Sequence, residues 1–421
     1  MANAALPNQF EIGVVGLDPC GRKLARALAG RRLSVAAYDR NSANIQVLRE
    51  ETPGIPIHIA ASLTQLMGLL RQVRTVVVSG SDPAGDLFSD LLEQLEAGDL
   101  LIDAWNCHFK DCDRRARRLA ERNIRHLGMG VIGGGEDGSG GPVLMIGGHR
   151  ETYHSVLPLL ESMASIEDGE PCVSHLGPAA TGHFVKMIHD GIEYGVMQLV
   201  LETSELLKRL LVLDDDELRE IAGVWLIGAL KGCPCDDSAR WTTQAARELE
   251  VPSPTIAAAV GMRTLSELEN RNDFATTLSR QPLGQFGDDT GSILDELRGA
   301  LRAAILITYA QGMAVLAAGS ECHGFGIDLA EVIRLWKACR KLRAALLEEM
   351  ASAIRATPHL PNLLDDDDLS EKVMEQQECL RHAVWRAGRL QTPVPALMAS
   401  LDYLDSYRGA WLPVNLIQVH A

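Results

Sequence analysis

The chain has 421 residues, more than one hydrophobic core usually holds, so two domains are expected. With 46% hydrophobic and 23% charged residues it has the balance of a soluble globular protein; no apolar run reaches membrane-spanning length and the first residues lack the basic patch and apolar core of a signal peptide, so a cytoplasmic protein without membrane contact is expected. A net charge of −16 disfavours nucleic acid as a partner, and an anionic small substrate would need a local cluster of cations.

In chain order, Phe10 to Val15 is a short apolar run that ends at Gly16-Leu17-Asp18-Pro19-Cys20-Gly21. A helical stretch follows up to Gly30, and Leu33 to Tyr38 reads as a second strand ending at Asp39-Arg40-Asn41. Strand, glycine turn, helix and strand open a dinucleotide-binding βαβ unit, in which phosphates sit on helix N-terminal amides. A plain βαβ packing turn remains the alternative, because Asp18 replaces the middle glycine of G-x-G-x-x-G and its charge would oppose a pyrophosphate. At the end of the second strand an acid suits the ribose hydroxyl of NAD and an arginine suits the extra phosphate of NADP. Asp39 and Arg40 offer both.

Further strands are expected at Thr75 to Val78, Leu100 to Asp103 and His126 to Val131, each after helix-like sequence, which continues the doubly wound pattern. Their loops carry Ser79-Gly80-Ser81, Asp103-Ala104-Trp105-Asn106-Cys107 and the glycine-rich Gly130 to Gly138. Trp105 reads either as ordinary packing or as a group narrowing a pocket, and the glycine loop as a flexible turn.

From Pro158 onward strand signals fade and amphipathic helices follow one another: Glu217 to Leu230, Trp241 to Leu249, Thr255 to Asn270, Leu294 to Ala318, Asp328 to Thr357, Leu369 to Leu390 and Val394 to Ser406. The expected architecture is a Rossmann-like doubly wound α/β domain over residues 1–178 and an all-helical domain over 179–421. The acidic run Asp365 to Asp368 reads as a solvated helix start or a loop, its aspartates suiting an N-terminal dipole. Nine cysteines lie without paired spacing except Cys233-Pro234-Cys235, which predicts reduced thiols and no metal site.

Within Gly182 to Leu201 the residues Lys186, His189, Asp190, Glu193 and Tyr194 fall at helical spacing on one face, and the other positions are too apolar for a surface helix. Buried, such a stripe needs partners that a polar ligand would supply. A solvated stripe with Lys186 and Asp190 as an i,i+4 pair is the other reading.

The stretch GHFVKMIHDGIEYGVMQL resembles the signature GHFVKMVHNGIEYGDMQL of the 6-phosphogluconate dehydrogenase family, decarboxylating oxidoreductases of the pentose phosphate pathway. The resemblance implies Lys186 as general base, Glu193 as general acid, and His189, Asp190 and Tyr194 on the substrate, with Asp190 where the family has asparagine. Asp103 to Cys107 is similar to the family's D-G-G-N-S, which makes Asn106 a residue meeting both substrate and cofactor. Gly130 to Gly138 is similar to G-V-S-G-G-E-D-G; the backbones of Gly133 and Gly134 would hold the substrate carboxylate, while the serine is missing. Ser238 to Thr242 resembles G-T-G-K-W-T, and Ala259 to Ser266 a helix with a phosphate-binding arginine, so Arg240 and Arg263 would grip the phosphate. The resemblance implies Ser79 near the nicotinamide, with glycine at position 80 in place of the family's lysine.

The implied cofactor is NADP, with NAD open, on Gly16, Leu17, Gly21, Asp39, Arg40, Asn41, Ser79 and Asn106; NADP-using members have asparagine, arginine, threonine where Asp39, Arg40 and Asn41 stand. A homodimer through the helical domain is implied. The similarity runs through Thr308 to Gly312, Pro361 to Leu364 and Tyr407 to Gln418, and the sequence stops at Ala421 before the family's R-D-Y-F-G-A-H-T-Y-E-R tail, which crosses to the partner with an arginine and a histidine. The segment from Trp225 to Trp241 is shorter than in long members. Three functions are therefore weighed: oxidative decarboxylation of 6-phosphogluconate to ribulose 5-phosphate, a non-enzymatic paralogue, and a dehydrogenase for another 3-hydroxy acid. Retention of Lys186 and Glu193 favours an enzyme.

Overall fold

The structure, a computed structural model, describes residues 9–80, 86–133, 141–222, 237–268, 289–339 and 344–410. The chain packs as two compact units, residues 1–187 with 323–347, and residues 188–322 with 348–421.

The first unit is built on an eight-stranded sheet. Its elements are β1 (Ile12–Val15), α1 (Pro19–Gly30), β2 (Val35–Tyr38), α2 (Ser42–Glu51), β3 (Ile57–Ile59), α3 (Leu63–Leu69), β4 (Thr75–Gly80), α4 (Asp86–Gln94), β5 (Leu100–Trp105) and α5 (Phe109–Ala120). Then come β6 (Arg125–Gly133), β7 (Pro142–Gly148), α6 (Arg150–Ser155), α7 (Leu157–Met163), the small hairpin β8 (Ile166–Glu167) and β9 (Glu170–Pro171), and β10 (Val173–Gly177). Strand order is β10-β7-β6-β5-β4-β1-β2-β3, parallel throughout except that β6 and β7 are antiparallel. The central strands are continuous apolar runs because helices cover both faces, leaving one core with Leu24, Leu28, Ile102 and Ile146 and another with Leu66, Val78, Leu91 and Trp105. The order reverses beside β1, whose carboxyl end opens into the Gly16 turn, the place where open α/β sheets bind ligands.

Sequence periodicity misses β3, β7, the hairpin and β10. β3 and the hairpin strands are too short to show alternation, and β7 is wholly buried, so it reads as a bare apolar run. The fading of strand signals after Pro158 is therefore corrected: β10 pairs with β7 and extends the sheet.

Helix α8 (Thr181–Leu211) starts in the first unit and continues into the second. After it come α9 (Asp215–Ala222), α10 (Ser238–Glu248), α11 (Pro254–Ser266), α12 (Thr290–His323), α13 (Leu329–Cys339), α14 (Ala344–Ala356), a 3-10 turn (Leu363–Asp365), α15 (Asp367–Arg389) and α16 (Pro395–Arg408). The single helix expected over Asp328 to Thr357 is described as α13 and α14, with 340–343 outside the described residues. The part of the Glu217 to Leu230 helix beyond Ala222, Cys233, Cys235 and the chain from Trp411 onward also lie outside them. α12 corrects the reading of apolar runs: its most apolar window has mean hydropathy 1.5, with 78% of that window buried within the fold.

Small residues set the spacing in the helical unit. A Cβ on Gly312 of α12 would lie 2.2 Å from Ile192 of α8, and one on Gly191 would lie 2.4 Å from Thr242 of α10. The buried Glu202 of α8 accepts the first amides of α16 from Ala396 and Leu397, at 3.0 Å each, and so caps that helix. Arg386 of α15 forks the Glu296 carboxylate of α12 at 2.7 and 3.2 Å.

Candidate active site

In the first unit, two glycines bring α8 onto the sheet. A Cβ on Gly182 would stand 2.1 Å from the Met145 carbonyl oxygen of β7, and one on Gly130 of β6 would stand 2.3 Å from the Gly182 carbonyl. This close approach sets Lys186 above the carboxyl end of β6, where its Nζ donates to Asn106 Oδ1 at 2.8 Å.

The loop carrying Asn106 is held from behind. Asp103, fully buried at the end of β5, accepts from Arg115 Nε at 2.8 Å and Nη2 at 2.7 Å, and from the Trp105 amide at 3.1 Å. Burial pushes its carboxyl pKa up, but His126, whose Nε2 lies 3.5 Å away, and the charges of Arg115 and His183 prevail and hold it well below the usual carboxylate range. His183 of α8 meets the Trp105 carbonyl oxygen at 3.1 Å; burial lowers its pKa to about 4 against the opposing pull of Asp103. Trp105 is 2% exposed, packed edge-on to Phe88 with the Arg115 guanidinium 4.7 Å over its ring, so it is a core residue. Asp103, Cys112 and His126 also bring ligand-type atoms within 4.8 Å of one another, where the Arg115 charge opposes a cation.

At the carboxyl end of β1 the backbone is built for glycine. Gly16 has φ +87° with the Ser79 carbonyl 2.1 Å from a would-be Cβ, and Gly21 has the Gly16 carbonyl at 2.0 Å from its own. Asp18 caps α1, accepting from the Gly21 amide at 3.0 Å and from Ser79 Oγ at 2.7 Å. Asp39 at the end of β2 accepts from the Leu17 amide at 2.6 Å, the Asn41 amide at 2.6 Å and Asn44 Nδ2 at 3.0 Å. Arg40 pairs with Asp90 at 2.5 Å, both half exposed. Burial and Asp18 push the Cys20 thiol up to about 11, with Lys186 among the charges that oppose them. A glycine turn that admits no side chain, opening a helix N-terminus beside an acid and an arginine, fits a dinucleotide, with Gly16, Leu17, Gly21, Asp39, Arg40 and Asn41 along one side.

In the second unit, α8 presents His189, Asp190 and Glu193, all under 5% exposed, so the stripe is buried and not a solvated face. His189 Nδ1 and Asp190 Oδ1 are 3.1 Å apart, and Tyr309 of α12 donates its hydroxyl to Glu193 Oε1 at 3.1 Å. Tyr194 packs against Ala239 and Ala259, the residues that flank Arg240 on α10 and precede Arg263 by one turn on α11. Arg240 and Arg263 both reach the Glu267 carboxylate, at 3.3 and 3.0 Å. The hydrogen bond that Arg263 donates to Glu267 is the main reason its pKa is raised, with Tyr194 among its neighbours.

Two family models divide the chain between them. The NAD binding domain of 6-phosphogluconate dehydrogenase matches residues 11–177, and the 6-phosphogluconate dehydrogenase C-terminal domain matches 182–232 and 236–421. The chain belongs to the 6-phosphogluconate dehydrogenase family. It is 34% identical to the decarboxylating 6-phosphogluconate dehydrogenase of Synechococcus elongatus, over 97% of this chain and 94% of that protein. The NADP(+)-dependent, decarboxylating enzyme of Bacillus subtilis is also 34% identical with the same coverage. Among solved structures, Plasmodium falciparum 6-phosphogluconate dehydrogenase, described in its apo form and in complex with its cofactor NADP+ and its substrate 6-phosphogluconate, superposes with a TM-score of 0.87 at 28% identity, over 97% of this chain and 95% of that one.

Within this family fold, the first unit joins Lys186 with Asn106 and sets the Gly16 turn against Ser79, while the second joins Glu193 with Tyr309 and Arg240 with Arg263 through Glu267. Gly133 ends β6 with φ +76° and is exposed; Gly134 and Ser81 lie outside the described residues. Sequence reasoning assigned no role to Tyr309, Glu267, His183, Asp103 or Arg115. His183 and Tyr309 stood in motifs already singled out, and a polar side chain at an otherwise apolar helix position was the available signal for both.

Proposed function

We propose that this chain catalyses the oxidative decarboxylation of 6-phosphogluconate to ribulose 5-phosphate with reduction of NADP. The observation that carries the reading is the pairing of Lys186 with Asn106 on a helix that, two turns on, presents the buried Glu193. The relatives named above support the substrate and the cofactor.

A bound NADP would supply the hydride acceptor for C3 of the substrate. Lys186, neutral at that moment, takes the 3-hydroxyl proton, and the Asn106 amide fixes the amine's direction. The resulting ammonium then lies beside the carbonyl oxygen of the β-keto acid and stabilises the negative charge that develops as carbon dioxide leaves. Glu193, oriented by the Tyr309 hydroxyl, protonates C1 of the enediol. His189, Asp190 and Tyr194 bind the sugar chain, the Gly133 and Gly134 backbone binds the carboxylate, and Arg240 and Arg263 bind the phosphate. Gly16, Leu17, Gly21, Asn41 and Ser79 would line the site for the cofactor, Asp39 would hold its ribose, and Arg40, now paired with Asp90, would meet its 2′-phosphate. We infer a homodimer through the helical domain, which light scattering of the purified protein tests.

The deciding experiment follows reduced-cofactor absorbance with purified protein, 6-phosphogluconate and NADP or NAD. Turnover that disappears in Lys186→Met supports the reading. No turnover with either cofactor, or equal turnover by the variant, overturns it.

A further inference from the structure

α11 ends at Arg263-Thr264-Leu265-Ser266, and Glu267 is its C-cap. That position returns the Glu267 side chain over the last turn, where Oε1 accepts from Arg263 Nε at 3.0 Å and Oε2 accepts from Arg240 Nη2 at 3.3 Å. One carboxylate thus bridges two guanidinium groups on two helices, one oxygen to each. The Asp237 carboxylate lies 3.7 Å from the other Arg240 nitrogen, so two acids face two cations here. Tyr194 of α8 packs on the same helices.

We propose that Glu267 is an internal competitor for the phosphate site: its carboxylate holds Arg240 and Arg263 in the place of the substrate phosphate and must leave before a phosphorylated substrate binds. The inference rests on the assignment of those two arginines to the phosphate. A carboxylate and a phosphate monoester both ask for paired N–H donors in a plane, and the phosphate brings about 1.5 to 2 negative charges against one. Repulsion by an undisplaced Glu267 weakens binding, and the bridge keeps the two arginines together while no substrate is present. Glu267 therefore sets the affinity for the phosphate group, and it discriminates between phosphorylated and unphosphorylated sugar acids less sharply than an open pair of arginines would. Its side chain is 51% exposed, with Arg240 at 45% and Arg263 at 27%, so release into water is sterically open.

The test measures steady-state KM for 6-phosphogluconate and the inhibition constant of inorganic phosphate in the full chain and in Glu267→Gln, which keeps an acceptor oxygen and removes the charge. Both constants fall together, by about three- to tenfold for two partly exposed ion pairs released. Phosphate titration by calorimetry reads the same change without turnover. Asp237→Asn removes an equal charge from a longer contact and lowers both constants less; an equal fall would assign the effect to general charge and overturn the proposal. Arg240→Ala and Arg263→Ala separate the two levels of inference. If both raise KM while Glu267→Gln leaves it unchanged or raises it, Glu267 only positions the arginines and the proposal fails alone. If neither arginine variant changes KM, the phosphate assignment fails and takes the proposal with it.

Discussion

Lys186 Nζ stands 2.8 Å from Asn106 Oδ1, a bond across 80 residues of sequence that ties the amine of α8 to the loop after β5. The Lys186→Met variant removes the proposed base and is expected to lower kcat by about 10²- to 10⁴-fold. Cofactor titration by fluorescence remains saturable, because the Gly16 turn and Asp39 are untouched. Asn106→Ala keeps the amine and loses its orientation, so kcat falls by roughly tenfold or more; wild-type kcat in that variant would remove Asn106 from the catalytic geometry.

Tyr309 donates to Glu193 from another helix, 116 residues away in sequence. Replacing it by phenylalanine keeps the packing and leaves the buried carboxylate without that donor. We expect kcat to fall by about three- to tenfold, the loss of one hydrogen bond, with unchanged circular dichroism. A variant as fast as wild type would mean that Glu193 is oriented by other groups.

Asp18 places a carboxylate at the N-terminus of α1, on the Gly21 amide and Ser79 Oγ. Asp18→Asn retains a capping oxygen and removes the charge that opposes a pyrophosphate. NADP then binds about three- to tenfold more tightly, and the difference shrinks as salt is raised. Isothermal titration at two salt concentrations reads both effects, and weaker binding by the variant would show that Asp18 assists the cofactor.

His183 gives a pH dependence whose sign is set by burial. Its folded pKa, about 4, lies below the ordinary 6.5, so between those values the unfolded chain binds the extra proton. Stability from this group is complete above pH 6.5 and is lost as pH falls towards 4, by about 1.4 kcal/mol per pH unit and about 3 kcal/mol in all. Denaturant midpoints for the wild type and His183→Gln across pH 4.5 to 7.5 test this: the variant is flatter in the window. Parallel profiles would assign the acid sensitivity elsewhere.

Much of the candidate site could be read in one dimension. The glycine turn after β1, the acid and arginine after β2, and the stripe from Lys186 to Tyr194 are local patterns, and each lies where helix or strand geometry puts it. Trp105 shows the limit of such reading: its residue type fits pocket or core equally, and only its neighbours Phe88 and Arg115 decide for the core. Short or wholly buried strands were missed for a related reason, since a strand covered on both faces has no polar alternation to display.

The sequence by itself determined the two-part architecture, the family, and the helix face on which the proposed reacting groups lie, because the first and last depend on periodicity along the chain and the family on one long motif. The tertiary structure alone decided which partners those groups meet. Asn106 at Lys186, Tyr309 at Glu193, Arg115 at Asp103 and Glu267 between Arg240 and Arg263 depend on distances across helices and strands, and on the removal of water that comes with burial. Neither is written in the order of residues along one element.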